Sequence, residues 1–244
     1  MNVANKGIIL AAGFGSRLAP ITYEIPKPLI SVNGVVMIET IIDAMIVNGI
    51  VDICIVVGHL REKFEYLLQK YCDVNIFFVY NPYYATCNNI SSLYVARDFL
   101  EDAIITDGDL IIHNPDIFKR EFDASGYCSS YALKTNEWLQ TVNENDEVIS
   151  CSRTGGKLGW QLYSVSFWNK DDGMRLKSHL EYLFEEVKAH DIYWDDVAMF
   201  EFPLEYTLKI RRISEDSLTE IDNLSELLAI DASYRDAILS KEVK

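Results

Sequence analysis

Four segments in the first half of the chain contain consecutive apolar residues that do not alternate with polar ones, and the fourth segment continues into an acidic tip. They are GIILAA (7–12), DICIVVG (52–58), NIFFVYN (75–81) and EDAIITDGDLII (101–112). A continuous run of this length predicts a strand that is buried on both faces, as in a parallel sheet.

Amphipathic segments separate these runs. MIETIIDAMIVNG (37–49) places Ile38, Ile41, Ile42 and Met45 on one helical face, and Gly49 can end that helix. REKFEYLLQKY (61–71) and ISSLYVARDFL (90–100) follow the same spacing. The order βαβαβαβ predicts an α/β fold, a Rossmann-like, doubly wound and mainly parallel sheet with right-handed crossovers.

The pattern changes after about residue 120. Polar turns separate three predicted strands, and a long helix, a late strand and a helical tail follow. These segments are YCSSYALK (127–134), TVNENDEVISCSR (141–153), QLYSVSFWN (161–169), DGMRLKSHLEYLFEEV (172–187), YTLKIRRI (206–213) and NLSELLAIDASYRDAIL (223–239). Because no linker, repeat or low-complexity segment interrupts the chain, we expect one domain over 1–244 with two halves, 1–120 and 121–244, and a β insertion within the second half.

The amino-acid composition and the net charge argue against several classes of protein. The 244 residues carry a net charge of −15, and the absence of a basic patch argues against binding to nucleic acid. No apolar run reaches the ~18 residues that a membrane span needs, and the N-terminus lacks a signal-peptide layout. We therefore expect a cytoplasmic protein without membrane insertion. The five cysteines contain no C-x-x-C pair, which indicates free thiols and neither a disulfide framework nor a zinc site.

The loop after the first strand has the composition of a phosphate-binding turn. Ligands of parallel α/β sheets bind at the carboxyl ends of the strands. Gly13 and Gly15 allow the backbone to approach a ligand closely, and Arg17 adds a charge suited to phosphate. The dinucleotide fingerprint needs a glycine where this chain has Leu18, and the Gly-Lys-Ser/Thr of a P-loop is absent.

LAAGFGSRL (10–18) followed by PKPL (26–29) resembles the signature of nucleotidyltransferases of the sugar-nucleotide pyrophosphorylase type. The resemblance implies that Leu10, Ala11, Ala12 and Gly13 contact the nucleoside. It also implies that Gly15, Ser16 and Arg17 hold the leaving phosphates, and that Lys27 meets the α-phosphate. The chemistry agrees, because two phosphate groups that react with each other require positive charge between them.

Carboxylates follow the fourth predicted strand and a later one. ITDGDLII (105–112) places Asp107 and Asp109 at the ligand edge of the sheet, where Mg²⁺ can bind carboxylates together with phosphate oxygens. The family resemblance implies that Asp109 is a metal ligand, and it assigns a second one to Asp222 in SLTEIDN (217–223). Whether Asp107 shares the metal stays open at this point.

Aromatic residues stand beside acidic ones in three segments. These are TNEWL (135–139), LGWQLY (158–163) and DIYWDDVAM (191–199). Aromatic faces next to carboxylates bind quaternary ammonium groups, but the same residues can pack a core or an interface. The residues alone do not decide between these interpretations.

NPYYATCNNISSLYVARDFL (81–100), NEW (136–138), SVSFWN (164–169) and IYWDD (192–196) resemble the bacterial CTP:phosphocholine cytidylyltransferases. The resemblance implies that Mg²⁺ is the cofactor and that CTP and phosphocholine are the substrates, giving CDP-choline and pyrophosphate. It also implies two sets of contacts. Near the nucleotide these are Asn81, Asn88 and Ser92, and at the acceptor they are Trp138, Tyr193, Trp194, Asp195 and Asp196.

Related enzymes that use 2-aminoethylphosphonate share much of this pattern. Transfer to that phosphonate or to a sugar 1-phosphate is therefore the alternative, and a non-catalytic nucleotide-binding subunit is the alternative from another class. The preference for CTP rests on the resemblance, and the sequence predicts no oligomeric state.

Overall fold

The computed structural model describes residues 1–235. The strands are β1 (Asn2–Val3), β2 (Lys6–Ala11), β3 (Ser31–Val32), β4 (Val35–Val36), β5 (Asp52–Val57), β6 (Asn75–Tyr80), β7 (Ala103–Asp107), β8 (Leu110–Ile112), β9 (Glu121–Phe122), β10 (Gly126–Thr135), β11 (Leu139–Val142), β12 (Val148–Ser152), β13 (Gly156–Trp168), β14 (Lys209–Arg212) and β15 (Leu218–Glu220). The α-helices are α1 (Met37–Val47), α2 (Tyr66–Lys70), α3 (Ile90–Val95), α4 (Lys170–Glu181) and α5 (Leu224–Ile230).

A nine-stranded sheet forms the centre of the protein. Its main path runs β12-β11-β13-β7-β2-β5-β6, and β10 joins it through β13 and carries β14. The strands β7, β2, β5 and β6 are parallel to one another. The strand β13, on the other side of β7, runs antiparallel to it. The predicted α/β class with a parallel central sheet is confirmed, and the second half of the chain extends the same sheet.

Alternate residues of the central strand β2 point into two separate cores. Ile9 packs with the predicted inner face of α1, including Ile38 and Ile41, while Ile8 packs with Leu93 of α3 and with α4. Burial on both faces explains why the run is continuously apolar. All four residues predicted for the inner face of α1 are fully buried.

The run 101–112 is two strands and not the single strand that its pattern predicts. β7 ends at Asp107, and the backbone N–H of Gly108 then donates to the carbonyl of Leu10 at 2.9 Å. A Cβ at position 108 would lie 3.0 Å from Cγ of Pro28, so the turn passes close to the segment that carries Lys27. β8 then leaves the main sheet and pairs with β15.

Two predicted helices are shorter than their patterns indicate. The segment 61–71 begins with a 3₁₀ turn before α2, and α3 ends at Val95. α5 covers the start of the predicted tail, whose residues 236–239 lie outside the described residues. Within 1–235, no helix combines the length and the apolarity needed to cross a membrane; the cytoplasmic location stays a prediction.

Candidate active site

A cavity of about 490 Å³ opens at the carboxyl ends of the parallel strands. Its walls come from the loop after β2, the end of β7, the middle of β13, the turn before α3, and the segments around residues 137, 193 and 220. Ligand binding at this edge is the rule for open parallel sheets.

Gly15 joins the glycine loop to the segment of Lys27. Its φ of 62° lies in the left-handed region, which glycine adopts without strain. A Cβ there would lie 2.9 Å from Cβ of Lys27, closer than packed atoms tolerate. The loop carbonyl at Gly15 accepts a hydrogen bond from the hydroxyl of Thr22 at 3.0 Å. Gly15 is therefore needed both for the backbone angle and for the contact.

Lys27 is a buried cation held among carboxylates. It lies between two prolines at the start of a 3₁₀ turn, Lys27–Leu29, and is 8% exposed. Its ammonium group donates to Asp109, and also to Asp222 Oδ1 at 3.2 Å. Burial is the largest influence on its pKa and lowers it, but Asp109 and Asp222 together outweigh burial and raise the pKa. Lys27 therefore keeps its charge at neutral pH.

Asp109, Glu220 and Asp222 form a cluster of three carboxylates. One oxygen of each lies within 4.8 Å of the others. The pairing of β15 with β8 creates the cluster, because Glu220 is opposite Leu110, the neighbour of Asp109. Arg17 reaches the same group and donates to Asp222 Oδ1 at 2.8 Å. Two cations and three carboxylates thus share one edge of the cavity.

The carboxylate cluster fits a divalent metal ion. Asp109 Oδ1 is buried and has no hydrogen-bond partner, although buried polar atoms normally have one. Burial, followed by the charges of Asp109 and Asp222, raises the pKa of Glu220 to about 8. Oxygen ligands of this kind suit Mg²⁺ or Ca²⁺, and a divalent ion would satisfy the orphaned oxygen. Asp107 also lines the cavity but is not part of the cluster.

The residues predicted to contact the nucleotide all line this cavity. They are Leu10, Ala11, Ala12, Gly13, Gly15, Ser16, Arg17, Asn81, Asn88 and Ser92. Several of these side chains are already engaged within the protein. Asn88 donates to the carbonyl of Asp191 and accepts from the backbone N–H of Asn89. Asn81 is engaged as well. Its amide donates to the hydroxyls of Ser91 and Ser92 at 3.0 and 3.1 Å, and its oxygen accepts from the backbone of Tyr83. Asn81 therefore supports the cavity wall and presents no free polar group.

Three of the predicted acceptor contacts, Trp138, Tyr193 and Asp195, form another part of the cavity wall, which we call the acceptor end. The rings of Trp138 and Tyr193 meet edge to face, with their centroids 6.0 Å apart. Asp195 is 8% exposed, and its Oδ1 has no hydrogen-bond partner. Burial raises its pKa to about 7. This end offers an aromatic corner beside an unpaired carboxyl group.

Trp194 and Asp196 are predicted acceptor contacts that the structure places outside the cavity wall. Trp194 is 1% exposed and packs in the core against Tyr127 and Trp168, with centroid distances of 5.8 and 6.1 Å. Asp196 is 3% exposed and binds Arg153 and the backbone N–H of Tyr193. Tyr193 and Asp195 face the cavity. The side chains that alternate with them, Trp194 and Asp196, point into the interior of the protein.

Several residues that line the cavity were not predicted from the sequence. Glu220 is the last residue of β15, and Asp222 follows two positions later. Residues two apart in an extended segment share a face, so this spacing was an available signal. Ser164 lines the cavity with a buried hydroxyl that has no partner, and it begins SVSFWN (164–169), a segment already noted for its resemblance. Tyr84, Cys87 and Asn89 also belong to the lining and lie within a segment already noted for its resemblance.

A family comparison identifies the class of protein that this fold and site define. The family model for nucleotidyl transferases matches residues 6–136, more than half of the chain. The chain therefore belongs to the nucleotidyl transferase family, and the predicted enzyme class is confirmed. Members of this family generally use a divalent metal, in agreement with the acidic cluster.

Individual relatives match over nearly the whole chain. A 2-aminoethylphosphonate cytidylyltransferase from Lancefieldella rimae is 35% identical over 94% of this chain and 93% of its own length. A choline-phosphate cytidylyltransferase from Streptococcus pneumoniae is 33% identical over 91% of this chain and 94% of its own. The solved structure of the CTP:phosphocholine cytidylyltransferase from S. pneumoniae superposes with a TM-score of 0.84, at 32% identity over 98% of this chain and 99% of that one. The predicted resemblance is confirmed.

Proposed function

We propose that this protein transfers CMP from CTP to phosphocholine, giving CDP-choline and pyrophosphate. The observation that carries the proposal is that one cavity holds Lys27 among carboxylates at one end and Trp138, Tyr193 and Asp195 at the other. The first end suits a nucleoside triphosphate and the second a cationic acceptor. The names of the most similar cytidylyltransferases support the choice of CTP.

The nucleotide end would bind the triphosphate through the glycine loop. The open space around Gly13 leaves room for a ligand against the backbone, and backbone N–H groups of such turns bind phosphate oxygens. Arg17 is 67% exposed at its side chain, so it can turn from Asp222 towards the leaving phosphates. Ser16 and Gly15 line the same part of the cavity.

The reaction is an in-line displacement at the α-phosphorus. An oxygen of the acceptor phosphate forms a new bond to that phosphorus, and the bond to the β-phosphate oxygen breaks. The acceptor is already ionised, so no general base is required. Lys27 would neutralise the reacting phosphates, and its burial makes that charge more effective than it would be in water. Catalysis then consists of positioning and charge stabilisation.

Asp109 and Asp222, with Glu220 beside them, would hold the metal, which we propose is Mg²⁺. A bound Mg²⁺ supplies positive charge to the phosphates of the nucleotide. We also infer that the two halves divide the work within a single domain, with 1–120 carrying the nucleotide loop and 121–244 the acceptor contacts. Asp222 is the exception, since β15 brings it across to the nucleotide end.

A second candidate acceptor is 2-aminoethylphosphonate. The observation in its favour is the pair of buried cavity oxygens without partners, Asp195 Oδ1 and Ser164 Oγ. A primary ammonium group can donate hydrogen bonds to such oxygens, whereas a trimethylammonium group has no N–H and depends on aromatic walls. With Trp194 in the core, two aromatic side chains, Trp138 and Tyr193, remain in the acceptor wall.

Pyrophosphate release by the purified protein with CTP and Mg²⁺ tests the proposal. Phosphocholine, 2-aminoethylphosphonate and glucose 1-phosphate are compared as acceptors, and UTP replaces CTP as a control. We expect release that depends on CTP and is fastest with phosphocholine. A preference for the phosphonate would keep the chemistry and select the second acceptor. No release with any acceptor and either nucleotide would contradict the proposal.

A further inference from the structure

Arg153 and Asp196 form an ion pair directly behind the aromatic wall of the cavity. Arg153 Nε donates to Asp196 Oδ1 at 2.7 Å, and Nη2 forms an ion pair with the same oxygen at 2.5 Å. The side chain of Asp196 is 4% exposed, and its other oxygen accepts from the backbone N–H of Tyr193 at 2.8 Å. Both oxygens of one buried carboxylate are thus used, and one of them fixes the residue that lines the cavity.

The guanidinium group of Arg153 also contacts the aromatic rings. Its Cζ lies 3.6 Å from the ring centroid of Phe200 and 5.9 Å from that of Trp138. Trp138 in turn meets Phe200 edge to face, at 5.4 Å between centroids. A planar guanidinium can stack on a ring and bind a carboxylate at the same time, which an ammonium group does less well.

The Arg153–Asp196 ion pair connects two segments that lie far apart along the chain. Trp138 immediately precedes β11, and Arg153 immediately follows β12, so both stand at the base of the β11–β12 hairpin. Tyr193 and Asp196 belong to the loop that follows α4. The ion pair therefore joins the hairpin to the loop at the place where each contributes one aromatic wall.

We propose that Arg153 and Asp196 are positioning residues that set the orientation of Trp138 and Tyr193 for the acceptor. Neither residue lines the cavity, so their effect on the substrate passes through the two rings. This inference rests on the proposed function for the meaning of the acceptor, and it gives Asp196 a different role from direct contact with the substrate.

The test compares Arg153→Gln, Asp196→Asn and the double variant with a control ion pair, formed by Arg212 of β14 and Asp146 in the turn between β11 and β12. Arg212 supplies that control, because its Nε and Nη2 also donate to a single aspartate oxygen, Asp146 Oδ1, and its guanidinium lies 4.7 Å from the ring centroid of Trp160. Arg212, Asp146 and Trp160 do not line the cavity. Arg212→Gln therefore removes an equivalent interaction away from the substrate.

We expect each single variant of the Arg153 pair to raise the acceptor KM about tenfold, because displaced walls lose substrate contacts. The KM for CTP should stay within about twofold, and the double variant should be no worse than the worse single one, as for residues that act as a unit. Arg153→Lys should give an intermediate acceptor KM. Arg212→Gln should leave both KM values unchanged.

A second readout does not depend on activity. The indole N–H resonances of Trp138 and Trp160 are assigned by NMR with Trp138→Phe and Trp160→Phe. We expect Arg153→Gln to shift the Trp138 signal and Arg212→Gln to shift that of Trp160 alone. Suppose that the unaltered protein is active, that Arg153→Gln and Arg212→Gln have the same acceptor KM, and that Arg153→Gln does not shift the Trp138 signal. That combination would overturn the inference.

The two proposals fail in different ways. If the unaltered protein releases no pyrophosphate with any acceptor, the proposed function fails, while the NMR comparison still tests whether Arg153 positions Trp138. If Arg153→Gln and Asp196→Asn do not fold, the acceptor KM of Arg153→Lys decides: a value equal to that of the unaltered protein would refute the positioning role.

Discussion

The two ends of the cavity are built in different ways. The nucleotide end takes its glycine loop and Lys27 from one stretch of about twenty residues, and its charged groups bind one another across the site. The acceptor end takes Trp138, Ser164 and Asp195 from three distant segments, and two of its oxygens have no partner. The glycine loop and Lys27 of one end form a contiguous motif, to which folding adds Asp109, Glu220 and Asp222, whereas the other end consists only of residues that folding brings together.

This difference assigns different roles to the two ends. A dense arrangement of opposite charges can stabilise charge that changes during the reaction. Unpaired oxygens beside aromatic rings instead select a ligand. Changes at the nucleotide end should therefore affect turnover, and changes at the acceptor end should affect the KM of the acceptor.

The largest expected effect is that of Lys27→Ala. Removal of the buried ammonium takes away the lysine partner of Asp109, while Asp222 keeps only Arg17, and we expect kcat to fall by about a hundredfold or more. Lys119→Ala is the matched control, since Lys119 is an exposed lysine paired with Asp116. Near-normal turnover in Lys27→Ala would remove the main distinction between the two ends.

Asp109→Asn should have the second largest effect on activity. Substitution of one carboxylate of the cluster weakens metal binding, and we expect the Mg²⁺ concentration for half-maximal activity to rise about tenfold or more. The acceptor KM, measured at saturating Mg²⁺, should change little. Asp116→Asn is the control, because this exposed aspartate has a single lysine partner. An unchanged Mg²⁺ dependence in Asp109→Asn would show that the metal does not bind at this cluster.

Asp195 should give the acceptor end a pH dependence. Burial raises its pKa to about 7, so the group is neutral below that pH and charged above it. A cationic acceptor is attracted only to the charged form, so kcat/KM for the acceptor should fall as the pH drops from 8 to 6. Asp195→Asn should have an acceptor KM about tenfold higher and should lose the part of this pH dependence that is centred near pH 7, while a part due to Glu220, whose pKa is raised to about 8, should remain.

The same profile for the unaltered protein and Asp195→Asn would assign the titration to another group. Initial rates with varied acceptor at saturating CTP provide the measurement. The KM for CTP serves as the internal control, since it should not follow the ionisation of Asp195.

The smallest expected effects distinguish Trp138, which lines the cavity, from Trp194, which packs in the core. Trp138→Ala should raise the acceptor KM several-fold, because it removes one wall of the cavity. Trp194→Phe should leave that KM unchanged and lower the Tm by a few degrees, because it trims a packed core residue. A selective rise of the acceptor KM in Trp194→Phe would return Trp194 to the acceptor site.

The sequence was sufficient for the parts of the protein whose environment is local. Continuous apolar runs predicted the parallel strands because both faces of the sheet are covered. The spacing of the glycines, Arg17 and Lys27 indicated the nucleotide end, since one loop and one short turn bring them together. The break at Gly108 was not visible, because apolar and acidic residues continue across it; contact with Pro28 and pairing with β15 decide it.

Long-range packing determined what the sequence could not predict. Tyr193 and Trp194 are adjacent aromatic residues, and only the positions of Tyr127 and Trp168 turn Trp194 into the core. Glu220 joins the carboxylate cluster through the pairing of two short strands, and Asp196 is taken by Arg153. Which residue faces the cavity therefore depends on partners that lie far away along the chain.

The central claim is that the cavity joins CMP to a phosphorylated acceptor, and ³¹P NMR of the complete reaction tests it most directly. With CTP, Mg²⁺ and phosphocholine, we expect the acceptor signal to be replaced by the two coupled signals of a diphosphate diester, with an equal amount of pyrophosphate. Conversion of CTP to CMP or CDP without such coupled signals, or unchanged spectra with both phosphocholine and 2-aminoethylphosphonate, would contradict the account.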